Sequence, residues 1–170
     1  MNETVDDHDL GGDAACMAAE LEPPRELSNA MLADLLRGLA DAVVVTDPDG
    51  RITFWNEAAT RVFGFTADEA HGASLDLIIP ERLRARHWAG YQQTMATGIT
   101  SYGDRLLEVP ALHRDGRTLS IAFTVTLLHA PGTRVPVGIA AVIRDDTERW
   151  QERRQLKTDL AALRTAADQT

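Results

Sequence analysis

Residues 118–128 alternate without interruption between two kinds of side chain. Leu119, Ile121, Phe123, Val125 and Leu127 fall on one side, and Thr118, Ser120, Ala122, Thr124 and Thr126 on the other. A period of two belongs to a strand with one oily face and one small, polar face; a helix of period 3.6 would scatter both sets. The chain must therefore build a sheet, and one side of that sheet must be covered.

The punctuation around this strand supplies its neighbours. His113-Arg114-Asp115-Gly116 reads as a hairpin turn joining it to a strand over Tyr102–Val109. Pro131-Gly132 ends it, and Val135–Ile143 reads as the last strand. A second hairpin stands upstream. The β-branched run Ala42–Thr46 leads through Asp47-Pro48-Asp49-Gly50, which has turn chemistry at every position, into Arg51–Trp55.

Helices occupy the rest. Leu27–Ala40 has an apolar stripe of Met31, Leu32, Leu35, Leu36 and Leu39, with Ser28 placed to cap it. Asn56 can cap a short helix to Phe63, and Gly64, Gly72 and Pro80 divide the following stretch into short pieces. Glu81–Thr97 is a longer helix stopped by Gly98, and a charged helix runs from about Asp145 to the end. The order is helix, two strands, short helices, long helix, three strands, terminal helix. This predicts an α+β fold: a five-stranded antiparallel sheet with its helices grouped between the second and third strands.

Charge divides the chain further. Residues 1–26 carry eight acids against Arg25 alone, which is most of the net charge of −9. Such a segment, with Gly11-Gly12 and Pro23-Pro24, is expected to be a disordered leader. The expected organisation is a leader at 1–26, a folded domain with its cap helix at 27–146, and a terminal helix at 147–170. Direct nucleic-acid binding is not expected, because phosphate recognition needs clustered Lys and Arg. No apolar run approaches the ~20 residues of a membrane span, and the acidic start is not a signal peptide, so a cytoplasmic protein without membrane contact is expected. Cys16 is the single cysteine, which excludes an internal disulfide and four-cysteine metal centres. No nucleophile–base pair, phosphate loop or paired-histidine helix is recognisable, and catalysis is not expected.

Three stretches together resemble PAS (S-box) sensory domains: DAVVVTDPDGRITFWNEAATRVFGFTADEAHGASLDLIIPERLRARH, HRDGRTLSIAFTVTLL and GIAAVIRDDTERW. The resemblance covers residues 28–150. It rests on Asp47 with Gly50, Asn56, Phe63-Gly64, Gly72, Arg114-Asp115-Gly116 and the Asp146–Arg149 segment. At Asp145-Asp146-Thr147 the chain departs from the family, which often has Ile or Val in the middle. The resemblance implies a cavity between the inner sheet face and the longer helix, pairing into a homodimer through the outer sheet face and flanking helices, and relay to an unidentified downstream signalling protein. With the chain ending about 20 residues after this core, it is expected to act on a partner or as a stand-alone subunit.

At about 100° per residue, Leu83, Thr94, His87, Tyr91, Arg84, Met95 and Trp88 share an arc of roughly 140° on the longer helix. Arg86 and Gly90 fall on the other side. His87 then faces the sheet. Such an imidazole is either a neutral core histidine or a metal ligand. The resemblance narrows to the haem-binding oxygen-sensor PAS domains, whose proximal histidine matches His87 at the same spacing from Pro80 and from Arg114-Asp115-Gly116. It implies haem b on His87, with Phe123 and Val125 on the distal side, and gas or redox sensing. The oxygen-contacting arginine of that group falls at Leu107; Arg105 lies two residues earlier on the same strand face. Its tyrosine three residues after the histidine is Gly90 here.

The expected cofactor site comprises His87, Leu83, Tyr91, Trp88, Met95, Arg105, Leu107, Ile121, Phe123 and Val125, with His87 as the metal ligand. Alternatives stay open. Trp55, Trp88 and Tyr91 could stack a flavin; Arg105 or Arg84 could pair a small carboxylate; or the domain is a ligand-free dimerisation module.

Overall fold

The computed structural model describes residues 26–100 and 105–167. The leader expected at residues 1–26 lies outside them except for Glu26, as do Tyr102 and the residues beside it. Five strands form a single antiparallel sheet: β1 (Ala42–Thr46), β2 (Ile52–Trp55), β3 (Leu107–Leu112), β4 (Thr118–His129) and β5 (Pro136–Asp145). Their order is β2-β1-β5-β4-β3, so the first and last strands in sequence meet at the centre. The helices are α1 (Asn29–Gly38), α2 (Glu57–Phe63), α3 (Ala67–Ala70), α4 (Glu81–Thr97) and α5 (Thr147–Ala167). This is the α+β arrangement expected from the sequence.

Side-chain caps fix the helix starts. Ser28 Oγ accepts from Met31 N, and Asn56 Oδ1 from Ala59 N. Thr66 and Glu69 form a reciprocal capping box on α3. Gly64 and Gly98 end α2 and α4 in left-handed geometry.

β3 differs most from expectation. β3 runs to Leu112, not Val109, because the tight turn at residues 113–116 sets the register and pairs Leu112 with Thr118 and Pro110 with Ser120. Proline is tolerated there because β3 is the sheet edge.

The core lies on the inner face. Val44, Ile52, Ile121 and Ile143 from the sheet meet Phe63 and Ile78 from the helical side. Asn56 ties three elements at this point. Its Oδ1 accepts from Val43 N and Ala59 N, both at 2.9 Å, while its Nδ2 donates to Leu36 O and Asp41 O, both at 3.1 Å. That bond to Leu36 holds the end of α1 beside α2. On the outer side, the small face of β4 forms a groove in which Ala122 and Thr124 stand opposite Arg149, Glu152 and Arg153 of α5. The stripe of α1 stays exposed, with Leu35 at 52%.

Candidate functional site

The alternation of β4 decides where a cavity can be. Its odd-numbered residues face inward, and α4 crosses in front of them without filling the space. The result is a cavity of about 490 Å³ between α4 and the inner sheet face. That size is within the range of small-molecule and cofactor sites. The sheet contributes Leu107, Ile121, Phe123 and Val125; α4 contributes Leu83, His87 and Tyr91. Seven of the ten expected site residues are thus brought together.

Three are not. Trp88 lies over the β1–β2 turn, where its ring occupies the space a Cβ at Gly50 would take, and its Nε1 donates to Asp76 Oδ1 at 2.9 Å. Met95 is half-buried outside the cavity wall, and Arg105 is exposed before the start of β3. The physical reason for the first two is a rotation of α4. Its cavity face carries Leu83, Arg86, His87, Gly90, Tyr91 and Thr94, an arc turned about 60° from the one drawn through the apolar residues. Hydrophobicity on α4 sums two contacts, one with the sheet and one with the turn segments. Arg84 belongs to the second: it donates to Ile79 O and Asp76 O and lies 3.6 Å from the Asp76 carboxylate. Arg86 and Gly90, expected on the far side, line the cavity. Their spacing with Thr94, four and eight residues apart, is the one sequence signal that could have placed them.

The floor is fixed by Tyr91. Its hydroxyl donates to Asp47 O and lies 2.9 Å from Thr46 Oγ1, so α4 is pinned to the end of β1. Burial pushes the phenol above its usual value, and it stays protonated to donate. Trp55, considered for flavin stacking, is buried against Phe63 and donates to Thr60 Oγ1 and Phe65 O. With Trp88 also turned away, Tyr91 is the sole member of that aromatic trio at the cavity.

His87 puts an imidazole on the cavity wall. Its Nδ1 is buried and has no hydrogen-bond partner. Burial lowers its pKa below 6.5, against a smaller opposing pull from the Asp76 carboxylate. A neutral imidazole is the form that ligates a metal. The ring itself lines the cavity, while Nδ1 is packed away from it with its hydrogen-bonding capacity unmet. Among the described residues no three His, Cys, Asp or Glu side chains converge on a point. A metal here would need a group that brings its own equatorial ligands. The residues present fit haem on both counts, a single imidazole and apolar walls.

On the outer side, Asp146 is buried at the head of α5, although the family often has an apolar residue there. Arg153 Nη2 lies 2.6 Å from its carboxylate, and Arg153 Nη1 lies 2.9 Å from Glu108 of β3. Glu108 also borders the inner cavity. One guanidinium therefore joins α5 to a strand of the cavity wall.

The sequence is 35% identical over 132 residues to a protein of uncharacterised function from Azorhizobium caulinodans, covering 77% of this chain and 18% of that protein. It is 30% identical over 129 residues to the sensor protein FixL of Bradyrhizobium diazoefficiens, covering 74% of this chain and 24% of that one. The chain spans under a quarter of the length of these relatives. Among solved structures, the PAS domain of a Colwellia psychrerythraea protein matches with a TM-score of 0.61 and 22% identity, over 70% of this chain and 97% of that domain. No described helix is long and apolar enough to cross a membrane. Residues 30–145 match the PAS fold, and with that sheet order, that helical cover and that cavity, the chain belongs to the PAS family of sensory and signal-transduction domains.

Proposed function

We propose that this PAS domain senses a gas or a redox change through haem b held in the cavity by His87, and relays the state of the site through α5 and a homodimer. The observation that carries this reading is the imidazole of His87 on the wall of an apolar chamber of about 490 Å³. His87 would hold the haem iron through a ring nitrogen. Phe123 and Val125 on β4, with Leu107 on β3, keep water from the opposite wall. Leu83 and Ile121 fill the flanks. When bound, haem supplies an iron whose ligation and redox state respond to small diatomic molecules or to potential.

Relay uses contacts that already cross the sheet. Leu107 pairs with Phe123, so a change at the wall moves β3. Glu108 follows it, and Arg153 carries the displacement to α5. The exposed stripe of α1, including Met31, Leu32 and Leu35, supports pairing with a second copy, as do Leu156, Leu160 and Leu163 on α5. The output partner is a signalling protein contacted through α5.

Absorption spectroscopy tests the cofactor. Purified protein supplied with haem is expected to show an intense Soret band, and His87→Ala is expected to lose it while still folding. A wild-type protein with no such band refutes the haem reading. Retention of the band in His87→Ala refutes the assignment of the ligand. Light scattering tests the dimer: Leu32→Asp with Leu35→Asp is expected to give monomers, and an unchanged mass rejects α1 as an interface.

A further inference from the structure

We propose that the mouth of the cavity is a carboxylate site, in which Arg86 beside the bare helix surface at Gly90 receives the head of an amphiphilic ligand whose apolar body fills the chamber. This rests on the reading of the cavity as a ligand chamber, but not on the ligand being haem.

Arg86, Gly90 and Thr94 stand at i, i+4 and i+8 on α4, one above another along the cavity face. Arg86 is exposed and also lines the cavity, as a residue at an entrance would. It has no ion pair and no hydrogen bond among the described residues, unlike Arg84 on the same helix, which is fully engaged by Asp76 and Ile79. Glu108, the other charged side chain at this cavity, is already paired with Arg153 at 2.9 Å. The unbalanced charge at the chamber is therefore positive and sits at one place.

Gly90 supplies the opening. A Cβ built there meets nothing within 4 Å, so the position is a gap rather than a close contact between helix and sheet. Glycine is a poorer helix former than alanine. Nothing in the backbone of α4 requires glycine there, and the missing side chain leaves that space open. Thr94 is buried on the same face. The chamber thus offers apolar walls within and a fixed, planar cation at its edge. That combination selects a long or flat apolar body with one or two carboxylates, as in a fatty acid or the propionates of haem.

Calorimetry on the full chain with decanoate, 1-decanol and decylammonium separates head-group charge from chain burial. Decanoate is expected to bind about tenfold or more tightly than the alcohol, and the ammonium more weakly than either. Arg86→Gln is expected to erase that ranking without changing thermal stability, because Arg86 has no partner to lose. Arg86→Lys is expected to restore part of it. Gly90→Leu is expected to weaken all three while keeping the fold, since leucine favours helix and the space is open. Haemin against its dimethyl ester distinguishes the source. A preference for the free acid that Arg86→Gln removes assigns the site to haem carboxylates; a preference confined to decanoate assigns it to a monocarboxylate. Equal binding of the three probes, no binding of any, or an unchanged ranking in Arg86→Gln overturns the proposal. A missing Soret band with the decanoate ranking intact refutes haem alone.

Discussion

The ring of Trp88 lies where a side chain at Gly50 would begin, and Gly50 has φ of +75°. A hairpin turn on the sheet and a helix residue 38 positions later are thus fitted to each other. Gly50→Ala combines a left-handed backbone with a clash, and is expected to cost about 1–3 kcal/mol. Chemical denaturation monitored by tryptophan fluorescence measures it. Adding Trp88→Ala is expected to recover the clash but not the backbone strain, so the double-mutant cycle should show a coupling that offsets part of the loss.

Asn56 is 2% exposed and makes four hydrogen bonds to the backbones of α1, the segment before β1, β1 and α2. Asn56→Ala removes a helix cap and strands the buried Val43 N–H. A loss of about 2–4 kcal/mol is expected, with faster amide exchange in α1 than in β4. A loss confined to a few tenths of a kcal/mol would show that water replaces the amide.

Arg144 grips Asp41 with two bonds, at 2.9 and 2.6 Å, and these hold the Asp41 carboxyl below its ordinary 3.8. A depressed carboxylate pKa adds stability that is present above the unfolded value and fades as pH falls through the lower folded value. Arg144 is largely exposed, so the gain is screened and stays under about 1 kcal/mol. Asp41→Asn is expected to be less stable than wild type at pH 7, and equal to it once the medium is acidic enough to protonate Asp41. Raising the salt concentration at pH 7 should also shrink the gap. A gap that persists in acid would assign it to packing.

The buried Asp146 stands where the family often has an apolar residue, and Arg153 answers its charge. Removing one partner of a buried pair is worse than replacing both. Arg153→Leu is therefore expected to lower the melting temperature and raise amide exchange in α5 severalfold. Asp146→Val with Arg153→Leu is expected to restore the melting temperature while leaving α5 uncoupled from Glu108. Full recovery of α5 protection in the double variant would show that Arg153 does not hold the helix to β3.

Local chemistry was enough to read most of the architecture. The alternation in β4, the turn at 47–50 and the caps at Ser28 and Asn56 are short-range signals, and each is found where the residues place it. The end of β3 was less legible, because register depends on the partner strand and the length of the turn. The site was harder still. Leu107, Ile121, Phe123 and Val125 could be assigned because a strand has only two faces. The far side of α4 could not be, because a helix has a continuum of faces and its apolar arc served two neighbours at once.

By itself, then, the order of residues determined where the strands and helices lie, though not the end of β3, and with them the α+β class and the inward turn of His87. All of these follow from periodicity, capping and turn preference within a few residues. Only the tertiary structure decided that Trp88 seals the turn at Gly50, that Arg84 is consumed by Asp76, and that Arg86 and Gly90 are left at the cavity mouth. The rotation of α4 is set by what the sheet and the turns each demand of it, and that balance exists only after they meet.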